Sequence, residues 1–313
     1  MARKAAYLLI ILKLQLWCVV AHSGPSILQS IPVKTTTNQQ ITLDKISTNR
    51  AVYLKIWASW CQPCRKQMPH FQKSHEKYGK NIDFIAVNIG INESMSAIAD
   101  IRQTFSLTMP IVIDHTGQLA RLFDLKGTPL NILIDKSGNI IYRSHEISKT
   151  LNNALRLLSD NITPDLPSIK IARNDNNSPV NNRPVNINAK TDQPTVLFFT
   201  STWCDWYLEK TRPAMSANCI HSQKIMNELY RNNPDLNWTG ALSPLWTTEK
   251  ELIEYQKKYR IKYPLYIDDK NRLFARYKIK KYPTLIVLKN SEVELKLEDF
   301  SDLKSITEKF SKF

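Results

Sequence analysis

Two cysteines separated by two residues, in Trp60-Cys61-Gln62-Pro63-Cys64, directly follow an apolar run over residues 52–58. Such a pair closes its small ring only where a turn or helix start brings the two side chains together, and it can then cycle between dithiol and disulfide. At the first turn of a helix, Cys61 would face free backbone N–H groups and the positive end of the dipole, which favours thiolate over thiol. Cys61 is the expected nucleophile, and Cys64, one turn further in, is expected to resolve the mixed disulfide. A second, incomplete copy, Trp203-Cys204-Asp205-Trp206-Tyr207, follows an apolar run over 195–200. Tyr207 stands where the second cysteine would be, so Cys204 cannot cycle by the two-residue route.

The remaining cysteines are read through the compartment. Residues 1–4 are basic, 5–20 mostly apolar, and Ala21-His22-Ser23 places small residues before Gly24, the pattern of a signal peptide over residues 1–23. Lys13 and Gln15 make the stretch a poor membrane span, with an uncleaved N-terminal anchor as the alternative. The expected location is therefore periplasmic or otherwise exported. Cys18 falls within the signal, which leaves Cys61, Cys64, Cys204 and Cys219, an even set in a compartment that permits disulfides.

Three readings compete for Cys204 and Cys219. They form a structural disulfide, with Pro213 breaking the helix so that the chain folds back; or a redox-active pair with Cys204 at a helix start; or a Cu(I) site with Met215 and His221. No metal or organic cofactor is required for the exchange expected at Cys61 and Cys64. The net charge of +15 is scattered and accompanied by no nucleic-acid motif, so it reads as a solvated lysine-rich surface and not as a nucleic-acid interface.

With 313 residues, two domains are expected, and an internal repeat marks them. Pro110, Asp114 and Pro129 recur as Pro264, Asp268 and Pro283 at a constant offset of 154, whereas Cys61 recurs as Cys204 at 143, so the second half gains 11 residues after its motif. Residues 159–194, rich in Asn, Pro and Asp, read as a linker between a first domain over 24–158 and a second over 195–313. Each half predicts a strand (52–57; 196–200), a helix, a strand (84–88; 237–242), a helix (95–105; 249–259), two closing strands and a final helix. That order is α/β, a central mixed sheet flanked by helices. Met68, Phe71 and Tyr78 mark the core face of the motif helix, and His70 and His75 are assigned no chemistry.

Together with the dithiol, this pattern resembles the thioredoxin fold. Four features, Ile41-Thr42-Leu43-Asp44, the run from Trp57 through Cys64, residues 85–88 with a helical insert up to Pro110-Ile111-Val112-Ile113-Asp114, and Gly127-Thr128-Pro129, make residues 41–147 resemble the exported TlpA/ResA-type disulfide reductases. The resemblance implies two tandem thioredoxin-fold domains and a cis Pro129 beside the dithiol. Trp60, Thr128 and Pro129 would then form the platform for protein disulfide substrates. It also implies a membrane electron donor and a role in cytochrome c maturation or in keeping copper-site cysteines reduced.

Two departures bear on mechanism. Lys55 stands where thioredoxins place a buried acid, and Gln67 where some ResA-like reductases place a Glu. An ammonium at Lys55 would stabilise thiolates near Cys64, and would accept a proton only if burial deprotonated it. The alternative is that Lys55 snorkels to the surface without a role. The expected function is reduction of protein disulfides through Cys61 and Cys64. A disulfide oxidase or isomerase, or a copper-handling or binding protein using the second half, are the alternatives.

Overall fold

A computed structural model of the chain describes residues 31–43, 50–170 and 193–313. The expected signal peptide, Asp44 and most of the expected linker lie outside the described residues.

The continuous apolar run of β3 (Ala51–Trp57) is buried along its whole length, as befits a strand covered on both faces. It pairs in parallel with the equally buried β4 (Ile82–Asn88), and antiparallel with β6 (Leu130–Ile134), in a register that sets Lys55 opposite Asn131. β5 (Ile111–Ile113) and β7 (Ile140–Ser144) extend the sheet on either side. Beyond β5, the short strands β1 (Pro32–Thr35) and β2 (Gln40–Thr42) complete the order β2-β1-β5-β4-β3-β6-β7. This hairpin of β1 and β2 was not expected from the sequence. Helices α1 (Gln62–Tyr78), α2 (Met95–Thr104), α3 (Gln118–Leu122) and α4 (Lys149–Ser159) flank the sheet.

The second half repeats the inner five strands. β8 (Thr195–Thr200) lies at the centre of the order β10-β9-β8-β11-β12, with β9 (Asn237–Leu242), β10 (Leu265–Ile267), β11 (Thr284–Lys289) and β12 (Glu292–Leu297). The 11 extra residues appear as a broken helix. A four-residue α5 (Cys204–Tyr207) is followed by α6 (Pro213–Asn232), which starts on Pro213, where a missing N–H costs nothing. α7 (Glu249–Tyr259), α8 (Arg272–Arg276) and α9 (Leu303–Phe310) complete this half.

The repeat extends to single hydrogen bonds. The Ala120 N–H donates to Asp114, and the Phe274 N–H to Asp268, so the two repeated aspartates cap equivalent short helices. The indole N–H of Trp60 donates to the Ile91 carbonyl, and that of Trp203 to the Leu245 carbonyl, both at 2.8 Å. Between the halves, the Asn92 N–H donates to the Lys280 carbonyl at 2.8 Å, and the Trp246 N–H to the Lys126 carbonyl at 2.7 Å. Asn92 and Trp246, like Lys126 and Lys280, are related by the offset of 154. The two halves therefore meet through reciprocal contacts, the signature of a pseudo-twofold, isologous interface within one chain. One continuous apolar core carries Trp60, Met109 and Leu130 from the first half, and Trp203, Leu245 and Tyr282 from the second.

Candidate dithiol site

β3 ends at Trp57 and the chain turns directly into α1, whose N-cap is Cys61. The Cys61 sulfur accepts the Cys64 N–H at 3.2 Å, so a first-turn amide points at it, and Pro63 sits in that first turn without an N–H to leave unsatisfied. Cys61 and Cys64 form a disulfide with their Cα atoms 5.2 Å apart. On the other side of β3, the loop entering β6 carries Thr128 and Pro129, joined by a cis peptide bond. The Pro129 carbonyl accepts from Nδ1 of His145, which fixes the proton on that nitrogen. The Gln67 amide donates to the His145 carbonyl, tying the loop back to α1. Thr128 is buried, and its hydroxyl has no hydrogen-bond partner among the described residues.

Lys55 does not snorkel. It is 0% exposed, with Nζ donating to the Gln67 Oε1 at 2.7 Å and the Asn131 Oδ1 at 2.9 Å. Tyr53 also donates to Asn131 Oδ1, and Asn131 Nδ2 donates to Gln67 Oε1, closing a four-residue network in which Tyr53, Lys55 and Asn131 are buried and Gln67 is half-buried. Both acceptors of the ammonium are neutral amides, and burial pulls its pKa from 10.5 down to about 7. Gln67 lies three residues after Cys64, on the same side of α1, so the network reaches the helix that carries Cys64.

Sequence reasoning missed the groups beside the motif. Glu93, after β4, accepts from the Ser59 N–H and hydroxyl and from the Asn88 amide, and burial raises its carboxyl above the usual range against those hydrogen bonds. Arg212, just before α6, donates to the Ser59 hydroxyl and to the Asn92 carbonyl. An Asn-Glu after a strand and an Arg before a Pro give no signal of proximity in the sequence, since they lie 119 residues apart.

The first half was expected to present its thiol to a substrate. Instead, Cys61 and Cys64 are both 0% exposed, and the second half lies against the residues on either side of Cys61, Trp203 on Trp60 and Tyr207 on the Gln62 N–H. Trp60, expected on the substrate platform, stacks on Trp203 with ring centres 4.8 Å apart, and Trp246 and Tyr207 meet it edge on. Trp206, by contrast, points outward and is 59% exposed. Cys204 and Cys219 are joined in a second buried disulfide that ties α5 to α6. In this form neither sulfur is a free thiolate for Cu(I), and His221 lies exposed on α6.

A mixed sheet in this strand order, with a disulfide at the start of the helix after its central strand and a cis proline on the neighbouring one, defines the first half as a thioredoxin-like unit. Residues 24–158 match the Redoxin family. The chain is similar to the thiol-disulfide oxidoreductase ResA of Geobacillus kaustophilus, 34% identical over 92 residues, which covers 29% of this chain and 52% of the relative. It is also similar to ResA of Bacillus subtilis, 26% identical over 110 residues, 35% of this chain and 60% of that protein. The chain thus spans about half of the length of these relatives. The crystal structure of StoA from Bacillus subtilis shares 23% identity with a TM-score of 0.35, over 44% of this chain and 98% of that one. The Redoxin match and the two ResA relatives support the ResA/TlpA-type resemblance for the first half.

Proposed function

We propose that the chain is an exported protein thiol-disulfide oxidoreductase that reduces disulfides of other proteins, with a catalytic domain over residues 24–158 and a second domain over 195–313, joined by 159–194. The observation that carries the reading is the Cys61–Cys64 disulfide at the first turn of α1, with Cys61 as N-cap. The N-terminal basic, apolar and small-residue pattern supports export.

In the reduced protein, the Cys61 thiolate attacks one sulfur of a substrate disulfide. A mixed disulfide forms and the other substrate sulfur leaves as thiolate. Cys64, deprotonated, then attacks the Cys61 sulfur, closing the Cys61–Cys64 bond and releasing the second substrate thiolate; the two protons lost by the dithiol end on the two substrate thiols. Trp60, Thr128 and Pro129 would hold the substrate chain. Neutral Lys55 can take up a proton in the interior, and its charged form favours thiolate at Cys64. A membrane-bound dithiol donor returns two electrons to the bridge, and the resemblance to cytochrome c maturation proteins makes such substrates the first to try.

Trapping with Cys64→Ser tests the reading. Substrate proteins should remain on Cys61 as reducible adducts, and adducts on Cys204 alone would overturn it. A reduction potential at the oxidising end of the thioredoxin-like range, toward about −120 mV, would reverse the reductive direction.

A further inference from the structure

Resting on that function, we propose that the second half is a resident occupant of the substrate face, and that Cys61 reaches a protein disulfide only after this half has moved off. The residues around Cys61 and the loop leading into Thr128 and Pro129 are already in contact with the second half. The Gln62 N–H, on the first turn of α1 beside Cys61, donates to the Tyr207 hydroxyl at 3.0 Å. Trp203 lies flat on Trp60. At the loop leading into Thr128 and Pro129, Trp246 gives a main-chain hydrogen bond to Lys126. Its indole fills the space over Gly127 so closely that a Cβ there would come within 2.5 Å of Nε1. Arg212 caps the Ser59 hydroxyl.

The occupant is built for this face. The halves contact each other reciprocally, so the second half presents the same loops that it receives, the Lys280 carbonyl to Asn92 and the Tyr282 N–H to the Asn92 side chain. Tyr207, where the second half has lost its resolving cysteine, is the side chain that reaches the start of α1. The rim is polar. Lys126 pairs with Asp269 in partly exposed positions, a contact that salt screens.

The test follows the rate at which iodoacetamide labels Cys61 in the reduced full chain, read on the Cys61 peptide by mass spectrometry. Wild type is compared with the double variant Arg212→Glu, Tyr207→Phe, which removes the hydroxyl from Gln62 and sets a carboxylate against Glu93. Emission of the Trp60, Trp203 and Trp246 cluster reports opening independently. The expected result is labelling at least tenfold faster in the opened variant, with a similar gain in turnover of insulin disulfides. Equal labelling in wild type and opened variant overturns the proposal. If the variant stays closed, carbodiimide coupling of Lys126 to Asp269 in wild type decides it: coupled protein should not label at Cys61, and undiminished labelling refutes the cap. An opened variant that labels rapidly yet turns over no protein disulfide refutes the oxidoreductase reading instead and leaves the cap standing.

Discussion

Replacing Lys55 with Met should change how stability depends on pH, and the size of that change follows from the burial of one ammonium. In the folded chain Lys55 loses its proton at about 7, against 10.5 for an exposed lysine. Its folded value is the lower one, so between those limits the unfolded chain binds more protons than the native chain. Stability contributed by this group is therefore lowest below pH 7 and is recovered as pH rises from 7 towards 10.5. At about 1.36 kcal/mol per unit, the whole gap amounts to about 5 kcal/mol, of which about 2 kcal/mol falls between pH 7 and pH 9. Met keeps the length of the stem and removes the charge. The amide oxygens that Lys55 leaves keep other donors, Tyr53 on Asn131 and Asn131 on Gln67.

The assay is urea unfolding of the oxidised protein at pH 7, 8 and 9, with the unfolding free energy extrapolated to water. The advantage of Lys55→Met over wild type should shrink by about 2 kcal/mol across that range, while the slope against urea stays the same. A difference that stays constant within about 0.5 kcal/mol would refute the reasoning, because Lys55 would then hold the same charge in both states throughout.

Asn131→Leu should cost about 1–3 kcal/mol, since it leaves the buried Tyr53 hydroxyl and the Lys55 ammonium short of an acceptor; chemical denaturation at pH 7 measures it, and a loss under about 0.5 kcal/mol would count against the network. Gly127→Ala should displace Trp246 and alter tryptophan emission with little change in overall stability, because the crowding falls on a side chain of the other half and not on the backbone. Cys219→Ser should lower stability by about 3 kcal/mol, the chain-entropy value for a bridge that closes 15 residues, which thermal unfolding of the oxidised variant checks against wild type.

Much of the fold was legible because it rests on local and periodic signals. The apolar run before Cys61 became β3, the predicted strand over 237–242 and helix over 249–259 appear as β9 and α7, and the offset of 154 marked the repeated loops. The hairpin of β1 and β2 was not legible: Pro-Val-Lys-Thr and Gln-Ile-Thr are too short and polar to show a period, and they are strands because β5 offers an edge. Lys55 could be flagged by its place in an apolar strand, but choosing burial over snorkelling required knowing that Asn131 faces it from β6. The placement of the second half over the dithiol had no signal at all in either half, since Arg212, Tyr207 and Trp246 look like ordinary surface or packing residues until the two faces meet.

That meeting also gives a physical reason for the pairing of Cys204 with Cys219. Cys204 follows Trp203 as Cys61 follows Trp60, and the two indoles stack where the halves face each other. A free Cys204 at the start of α5 would be a second thiol near the same interface as Cys61, next to the stacked indoles. At the effective concentrations that such confinement creates, a bond between the two would compete with exchange on substrates and lock the halves together. Binding the Cys204 sulfur to α6 withdraws it from that competition. The break of the helix at Pro213 is what allows α6 to bring Cys219 within reach, so the inserted residues and the lost Cys-x-x-Cys belong to one change: Cys204 exchanges a partner two residues on for one across the break.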